Sequence, residues 1–159
     1  MKLLIVGSDS IHVSSFISEI SKEINEVYFL SETNCGFIDK NKEFVIPFRS
    51  NNPFKFFNLI NKIERLLNEL NPDLIHVHQV NRLAYFVSKF SSKKNIPLIL
   101  TAWGSDVLLI PDKNFIFHYL ISKTLKRSNF VTADSEQIIN KMKVLAPANY
   151  DKYINLQYG

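Results

Sequence analysis

The chain is 159 residues long, 46% hydrophobic and 21% charged, with a net charge of +4 and an isoelectric point near 9.1. That length fills one ordinary core, and that balance excludes a disordered, fibrous or collagen-like chain. The lysines are spread rather than gathered into a block, which argues against nucleic acid as a partner, and no apolar run approaches the roughly 18–20 residues that span a bilayer.

Leu3–Val6 is an apolar run read as a central strand, followed by the loop Gly7-Ser8-Asp9-Ser10. Lys2 precedes only five apolar or Gly residues, too short a stretch for a secretory signal. Ser10 suits the cap of a helix in which Val13, Phe16, Ile17, Ile20 and Ile24 recur at helical spacing. Val27–Leu30 is a second strand, with a polar loop through Cys35 and Gly36, and Phe44–Ile46 a short third strand stopped by Pro47. Cys35 is the single cysteine, which excludes an internal disulfide and a cysteine-rich zinc site and fits a reducing compartment. The expectation is a cytoplasmic protein, at most peripheral at the inner face of a membrane.

Asn51 or Asn52 caps a longer helix with Pro53 in its first turn and an apolar stripe of Phe54, Phe57, Ile60, Ile63, Leu67 and Leu70. Leu74–His78 is the next strand, Arg82–Lys94 a helix, and Pro97–Leu100 a strand that breaks into Thr-Ala-Trp-Gly-Ser-Asp. After Pro111 comes a helix from about Asn114 to Lys126, then a strand Phe130–Thr132. A helix Asp134–Leu145 follows, with Asp134 and Gln137 spaced as a capping box, and Tyr153–Gln157 reads as a last strand. Strands and helices alternate throughout. That pattern predicts a doubly wound, mostly parallel α/β sheet with helices on both faces, in one domain over residues 1–159.

In such a sheet, ligands lie beyond the carboxyl ends of the strands. The residues gathered there are Gly7, Ser8, Asp9 and Ser10, then His78 and Gln79, then Trp103, Gly104, Ser105 and Asp106, and finally Asp134 and Ser135. His76 and His78 point to one face, because side chains on a strand alternate. His76 suits a core histidine donating to a backbone carbonyl, and His78, nearer the edge, a site residue. Two readings of Trp103 and Asp106 stand side by side. Trp103 fills core or faces a ligand; Asp106 caps the next helix, where Asn would serve as well, or belongs to a site.

Several chemistries have no carrier here. The first loop is not Gly-x-Gly-x-x-Gly, and there is no Gly-Lys-Ser/Thr phosphate loop or Gly-x-Ser-x-Gly elbow. A phospho-receiver domain requires paired acids after the first strand, where only Asp9 stands. His76 and His78 lack a third ligand at metal-binding spacing, so no metal and no cofactor is expected.

The strand DLIHVHQ over Asp73–Gln79, then IPLILTAWGSD over Ile96–Asp106 and NFVTADSE over Asn129–Glu136, resemble the N-terminal domain of GT-B glycosyltransferases. The match is to retaining glycosyltransferase family 4, among members carrying Trp-Gly-Ser-Asp. The resemblance covers essentially the whole chain. It implies about seven strands in the order 3-2-1-4-5-6-7. It further implies one half of a two-domain enzyme whose C-terminal, donor-binding domain is absent from this chain. The implied activity is transfer of a sugar from a nucleotide-sugar donor to a saccharide or lipid-linked acceptor in polysaccharide or cell-envelope glycan assembly. The half alone would be inactive. Catalytic roles then fall to Asp106 and His78, and substrate contacts to Trp103, Gly104, Ser105, Ser8, Asp9, Ser10, Gln79, Asp134 and Ser135. The family commonly has His where this chain has Trp103, and a glycine-rich first loop where this chain has one glycine. The other class of function open to the fold is a stand-alone flavodoxin-like binding module without catalysis.

Overall fold

The computed structural model of the chain describes residues 1–48, 53–147 and 150–156. Seven strands form one sheet in the order β3-β2-β1-β4-β5-β6-β7. They are β1 (Lys2–Val6), β2 (Glu26–Ser31), β3 (Glu43–Val45), β4 (Leu74–His78), β5 (Leu98–Thr101), β6 (Phe130–Ala133) and β7 (Tyr153–Asn155). Every pairing is parallel. This is the order and direction that the resemblance implied. Parallel strands covered on both faces read as continuous apolar runs, and Leu3–Val6 at the centre is buried throughout.

The helices are α1 (Ile11–Glu23), α2 (Pro53–Leu70), α3 (Arg82–Lys94), the single turn α4 (Ser105–Leu108), α5 (Phe115–Arg127) and α6 (Glu136–Leu145). Right-handed crossovers place helices on opposite faces when the chain reverses its direction across the sheet. The chain steps one way through β1-β2-β3 and the other way through β4 to β7, and the buried side chains divide accordingly. Leu3, Ile5, Val27 and Phe29 pack with Val13 and Ile17 of α1. Leu4, Val6, Ile75, Val77, Leu98 and Leu100 pack with α2, α3, α5 and α6 in the larger core. His76, His78, Thr101 and Thr132 share the α1 side of the sheet, the side with fewer helices.

No helix joins β2 to β3. The crossover loop 32–42 is held instead by the Glu43 carboxylate, which accepts from the backbone N–H of Cys35 at 2.7 Å and of Gly36 at 3.1 Å. Phe37 and Ile38 of that loop pack against the smaller core.

Several boundaries differ from the periodicity. Phe57 is 64% exposed, and the buried stripe of α2 is Leu59, Ile63, Leu66, Leu67 and Leu70. Helix α6 begins one residue later than expected: Ser135, not Asp134, is its cap and accepts from Ile138 N–H. With Ser135 as the cap, the third helical residue is Ile138, which has no polar side chain to return the bond, so the capping box does not form. Strand β3 starts at Glu43, and β7 ends at Asn155. The cap at Asn51 or Asn52 and the chain's end at Gln157–Gly159 lie outside the described residues.

Gly7 sits where α1 comes down on β1. A Cβ there would meet Val13 Cγ2 at 3.0 Å and Cγ1 at 3.1 Å. Val13 is stiff at χ1 within a helix and cannot turn aside. Gly7→Ala is therefore expected to cost about 1–3 kcal/mol, as overpacking does, and Val13→Ala in the same chain to recover part of the loss. Urea unfolding of the single and double variants checks this; equal midpoints for Gly7→Ala and parent would show that α1 shifts freely.

Candidate functional site

The carboxyl edge of the sheet is built by two turns in the left-handed region. Gln79 has φ 79° and Gly104 has φ 103°. Gly adopts that conformation freely, whereas for Gln it stores strain of the order of 1–3 kcal/mol. Gln79 is fixed by its N–H to the Thr101 carbonyl at 2.9 Å and by Ser8, whose hydroxyl donates to Gln79 Oε1 at 3.3 Å.

Asp106 joins the two turns. Its carboxylate is 2% exposed and accepts from Val80 N–H at 2.8 Å and Trp103 N–H at 3.1 Å. Burial pushes its carboxyl above the usual carboxylate range, while the backbone donors, Val80 first, pull the other way. The helix-cap reading of Asp106 is corrected here. Gly104 is the N-cap of α4 and gives no side-chain cap bond; Asp106 instead bridges two loops.

Behind Trp103 runs a file of rings. His12 stacks on the indole at 4.6 Å, and His78 lies at 5.9 Å in a nearly parallel plane. His76 follows at 4.3 Å from His78, and Phe16 packs against both at 4.7 Å. Trp103 is half-buried, and two imidazoles already stack on the indole expected to offer its face to a sugar. His76 does not donate to a backbone carbonyl as expected. Its Nε2 meets Thr101 Oγ1 at 2.8 Å, and that hydroxyl meets Thr132 Oγ1 at 2.8 Å. His78 is 2% exposed and neither ring nitrogen has a hydrogen-bond partner among the described residues. Burial lowers the pKa of His78 to about 4; burial and the neighbouring His78 lower that of His76 to about 3. Both are neutral at pH 7.

A cavity of about 360 Å³ opens beside these turns. Glu32, Gln79, Asn81, Arg82, Ser105, Asp106 and Lys113 supply its polar groups, and Phe48, Phe117 and Ile121 are among its apolar ones. Of the residues singled out from the sequence, Gln79, Ser105 and Asp106 line it. Ser10 and Ser135 are spent as helix caps, and Asp9 and Asp134 are exposed outside the lining. The sequence reading missed Glu32, Arg82, Lys113 and His12. Arg82 and His12 each stand just inside a cap, after Asn81 and Ser10, which places them on this same edge.

A family model described as glycosyl transferase 4-like matches residues 2–135. The chain belongs to that family. Comparison with curated proteins returns no sequence match. Among solved structures, the UDP-GlcNAc 2-epimerase of Methanocaldococcus jannaschii, in complex with UDP-GlcNAc and UDP, is similar at 17% identity and a TM-score of 0.75. That likeness covers 98% of this chain and 46% of the epimerase. The UDP-GlcNAc 2-epimerase of Neisseria meningitidis, bound to UDP-GlcNAc, is similar at 18% identity and 0.71, over 98% of this chain and 45% of that one. The enzyme from Rickettsia bellii gives 15% and 0.66, over 98% and 44%. This glycosyl transferase 4-like chain thus has a fold matching one half of those proteins and spans less than half of their length.

Two expectations follow from the buried groups. Asn at 106 offers one acceptor oxygen where two N–H groups need one each, so it does not substitute for Asp as a cap would allow. Asp106→Asn is expected to lose about 1–3 kcal/mol, the cost of a buried donor left unpaired, read as a lowered melting temperature. An Asn variant melting with the parent would show that Val80 or Trp103 finds another acceptor. The second concerns acid. Unfolding returns both imidazoles to about 6.5, so below that pH the unfolded chain binds more protons and stability falls on acidification. Asp106 acts with the opposite sign, because its raised pKa makes the folded chain the better proton binder, but it is one group against two. Each imidazole contributes about 2 kcal/mol between pH 7 and pH 5, so with Asp106 opposing, the unfolding free energy is expected to fall by roughly 2–4 kcal/mol. Urea midpoints at the two pH values, with a flatter response in His78→Leu, test it.

Proposed function

We propose that this chain is the acceptor-side half of a retaining glycosyltransferase. Its acceptor is a saccharide or lipid-linked sugar, its donor a nucleotide-sugar, and its setting polysaccharide or cell-envelope glycan assembly. The observation that carries this reading is the cavity at the carboxyl edge. Its volume of about 360 Å³ is in the range of small-molecule sites, about 300–1,000 Å³. Hydroxyl-binding groups on one side (Gln79, Asn81, Arg82, Ser105) and an apolar wall on the other suit a sugar carried on an apolar group.

The donor, on this reading, is held by a second α/β domain closing over the same edge, as the family resemblance implies. Closure excludes water and completes the constellation. Asp106 acts as a positioning residue, because its carboxylate is taken up by Val80 and Trp103 N–H. His12 is the exposed imidazole nearest the place where the family commonly has His and this chain has Trp103. Its stack on Trp103 at 4.6 Å supports assigning it the contact with the transferred sugar. His78 stands behind as a neutral ring that holds the indole.

Calorimetry with UDP-, GDP- and dTDP-sugars tests the division of labour. Residues 1–159 alone are expected to bind them with dissociation constants weaker than about micromolar, which corresponds to roughly −8 kcal/mol. Tight binding by this half would overturn the reading. In a radiolabel transfer assay with the donor-binding half present, His12→Ala is expected to melt with the parent and to lose at least about tenfold in turnover, the usual range for a group acting in the transition state.

A further inference from the structure

The stretch from Lys113 to Ala133 contains Lys113, Lys123, Lys126 and Arg127 and no Asp or Glu. The remaining fifteen basic and fifteen acidic residues balance, so this one stretch carries the chain's entire net charge of +4. Within it, α5 exposes apolar side chains where a solvent-facing helix would carry polar ones. Phe115 is 82% exposed, Ile116 54% and Tyr119 51%. Residues three or four apart share a helix face, so Phe115, Tyr119, Lys123 and Lys126 form one stripe. The Lys123 ammonium lies 5.5 Å above the Tyr119 ring. The opposite face of α5, through Ile121, Thr124 and Leu125, is buried. Asp112, the nearest preceding carboxylate, is taken by Lys141 at 2.8 Å, and among the described residues no ion pair engages Lys123 or Lys126.

We propose that the exposed face of α5 is a docking surface for an anionic lipid bilayer, on which the helix lies in the interface without crossing it. Aromatic and aliphatic side chains enter the headgroup boundary while lysines on the same helix meet anionic lipids, the arrangement of interfacial helices. Among the described residues no helix is long and apolar enough to cross a membrane. The stripe runs about 16 Å from Phe115 to Lys126 at 1.5 Å per residue. It thus leads down the flank of the sheet, away from the edge on which a second domain would close. A bilayer fits that geometry and charge better than a domain seated on the edge.

Sedimentation of the full chain with vesicles of phosphatidylcholine, with or without phosphatidylglycerol, tests the surface without reference to sugar transfer, so its failure leaves the proposed activity untouched. The chain is expected to sediment with phosphatidylglycerol vesicles at low salt and to be released at high salt, since exposed charges are screened there. Phe115→Ser with Tyr119→Ser, and separately Lys123→Glu with Lys126→Glu, are expected to lower binding at least about tenfold, with unchanged circular dichroism. No binding to phosphatidylglycerol vesicles, or equal binding to phosphatidylcholine alone, overturns the proposal. Undiminished binding in the Ser pair would overturn it in favour of a soluble polyanion. A concentration-dependent dimer lost in the Ser pair would overturn it in favour of a second copy of the chain.

Discussion

The carboxyl edge of this sheet is held in shape by one buried carboxylate. Asp106 accepts the N–H of Val80 after β4 and of Trp103 after β5, at 2.8 and 3.1 Å. The backbone bond from Gln79 N–H to the Thr101 carbonyl at 2.9 Å joins the same two strand ends one residue earlier. Charge-assisted bonds to backbone N–H are about twice as strong as neutral ones, and a buried carboxylate without them would be costly. The left-handed turns at Gln79 and Gly104 point the same way. A non-glycine residue stays in that region only where its surroundings over-determine it. Val80, Trp103, Ser8 and Thr101 provide that determination from three different strands.

The distribution of polar side chains follows from topology. Because β4 to β7 advance in one direction across the sheet, their helices α3, α5 and α6 all fall on one face, and α1 is left to serve the other. Thr101 and Thr132 are buried there and satisfy one another, with His76 closing the chain of contacts. His78 lies next in the file with neither nitrogen partnered among the described residues. A lysine or carboxylate in this place would be neutral at pH 7 only after a shift of several pH units, whereas an imidazole needs little shift to be neutral. That explains why histidine, rather than a permanently charged group, occupies both positions of β4.

Much of the fold was legible because parallel strands and amphipathic helices leave different periods. Leu3–Val6 and Leu74–His78 read directly as strands, and Val13 and Ile17 directly as the buried side of α1. Phe57 misled because aromatic bulk at helical spacing marks a stripe only when the packing partner is known, and α2 turns Leu59 and Leu66 inward instead. Asp134 and Ser135 are both good caps, and one residue of phase decided between them. The site was less legible for a geometric reason. Gln79, Ser105 and Asp106 follow strands and could be placed on the edge. His12 meets Trp103 only because Gly7 lets α1 sit down on β1, with Val13 against the bare backbone, and nothing local in Ile11-His12-Val13 announces that approach. Arg82 at the start of α3 and Lys113 in the loop before α5 likewise line one cavity, though about thirty residues apart in the chain.

Helix α5 connects the edge to the flank. Phe117, Leu120 and Ile121 line the cavity of about 360 Å³, and Phe117 and Leu120 also line a neighbouring hollow of about 450 Å³. Arg82 also lines both. Ile116, whose side chain borders the second hollow, is also one of the exposed apolar residues of the helix. Exposed apolar side chains of α5, Arg82 and the polar groups of the first cavity thus lie on adjoining surfaces. A cation shared by an apolar hollow and a polar one suits an amphiphile whose charged junction lies between a chain and a sugar. The lipid surface proposed for α5 and the acceptor proposed for the cavity thus make the same demand: a substrate presented from a bilayer rather than taken from solution.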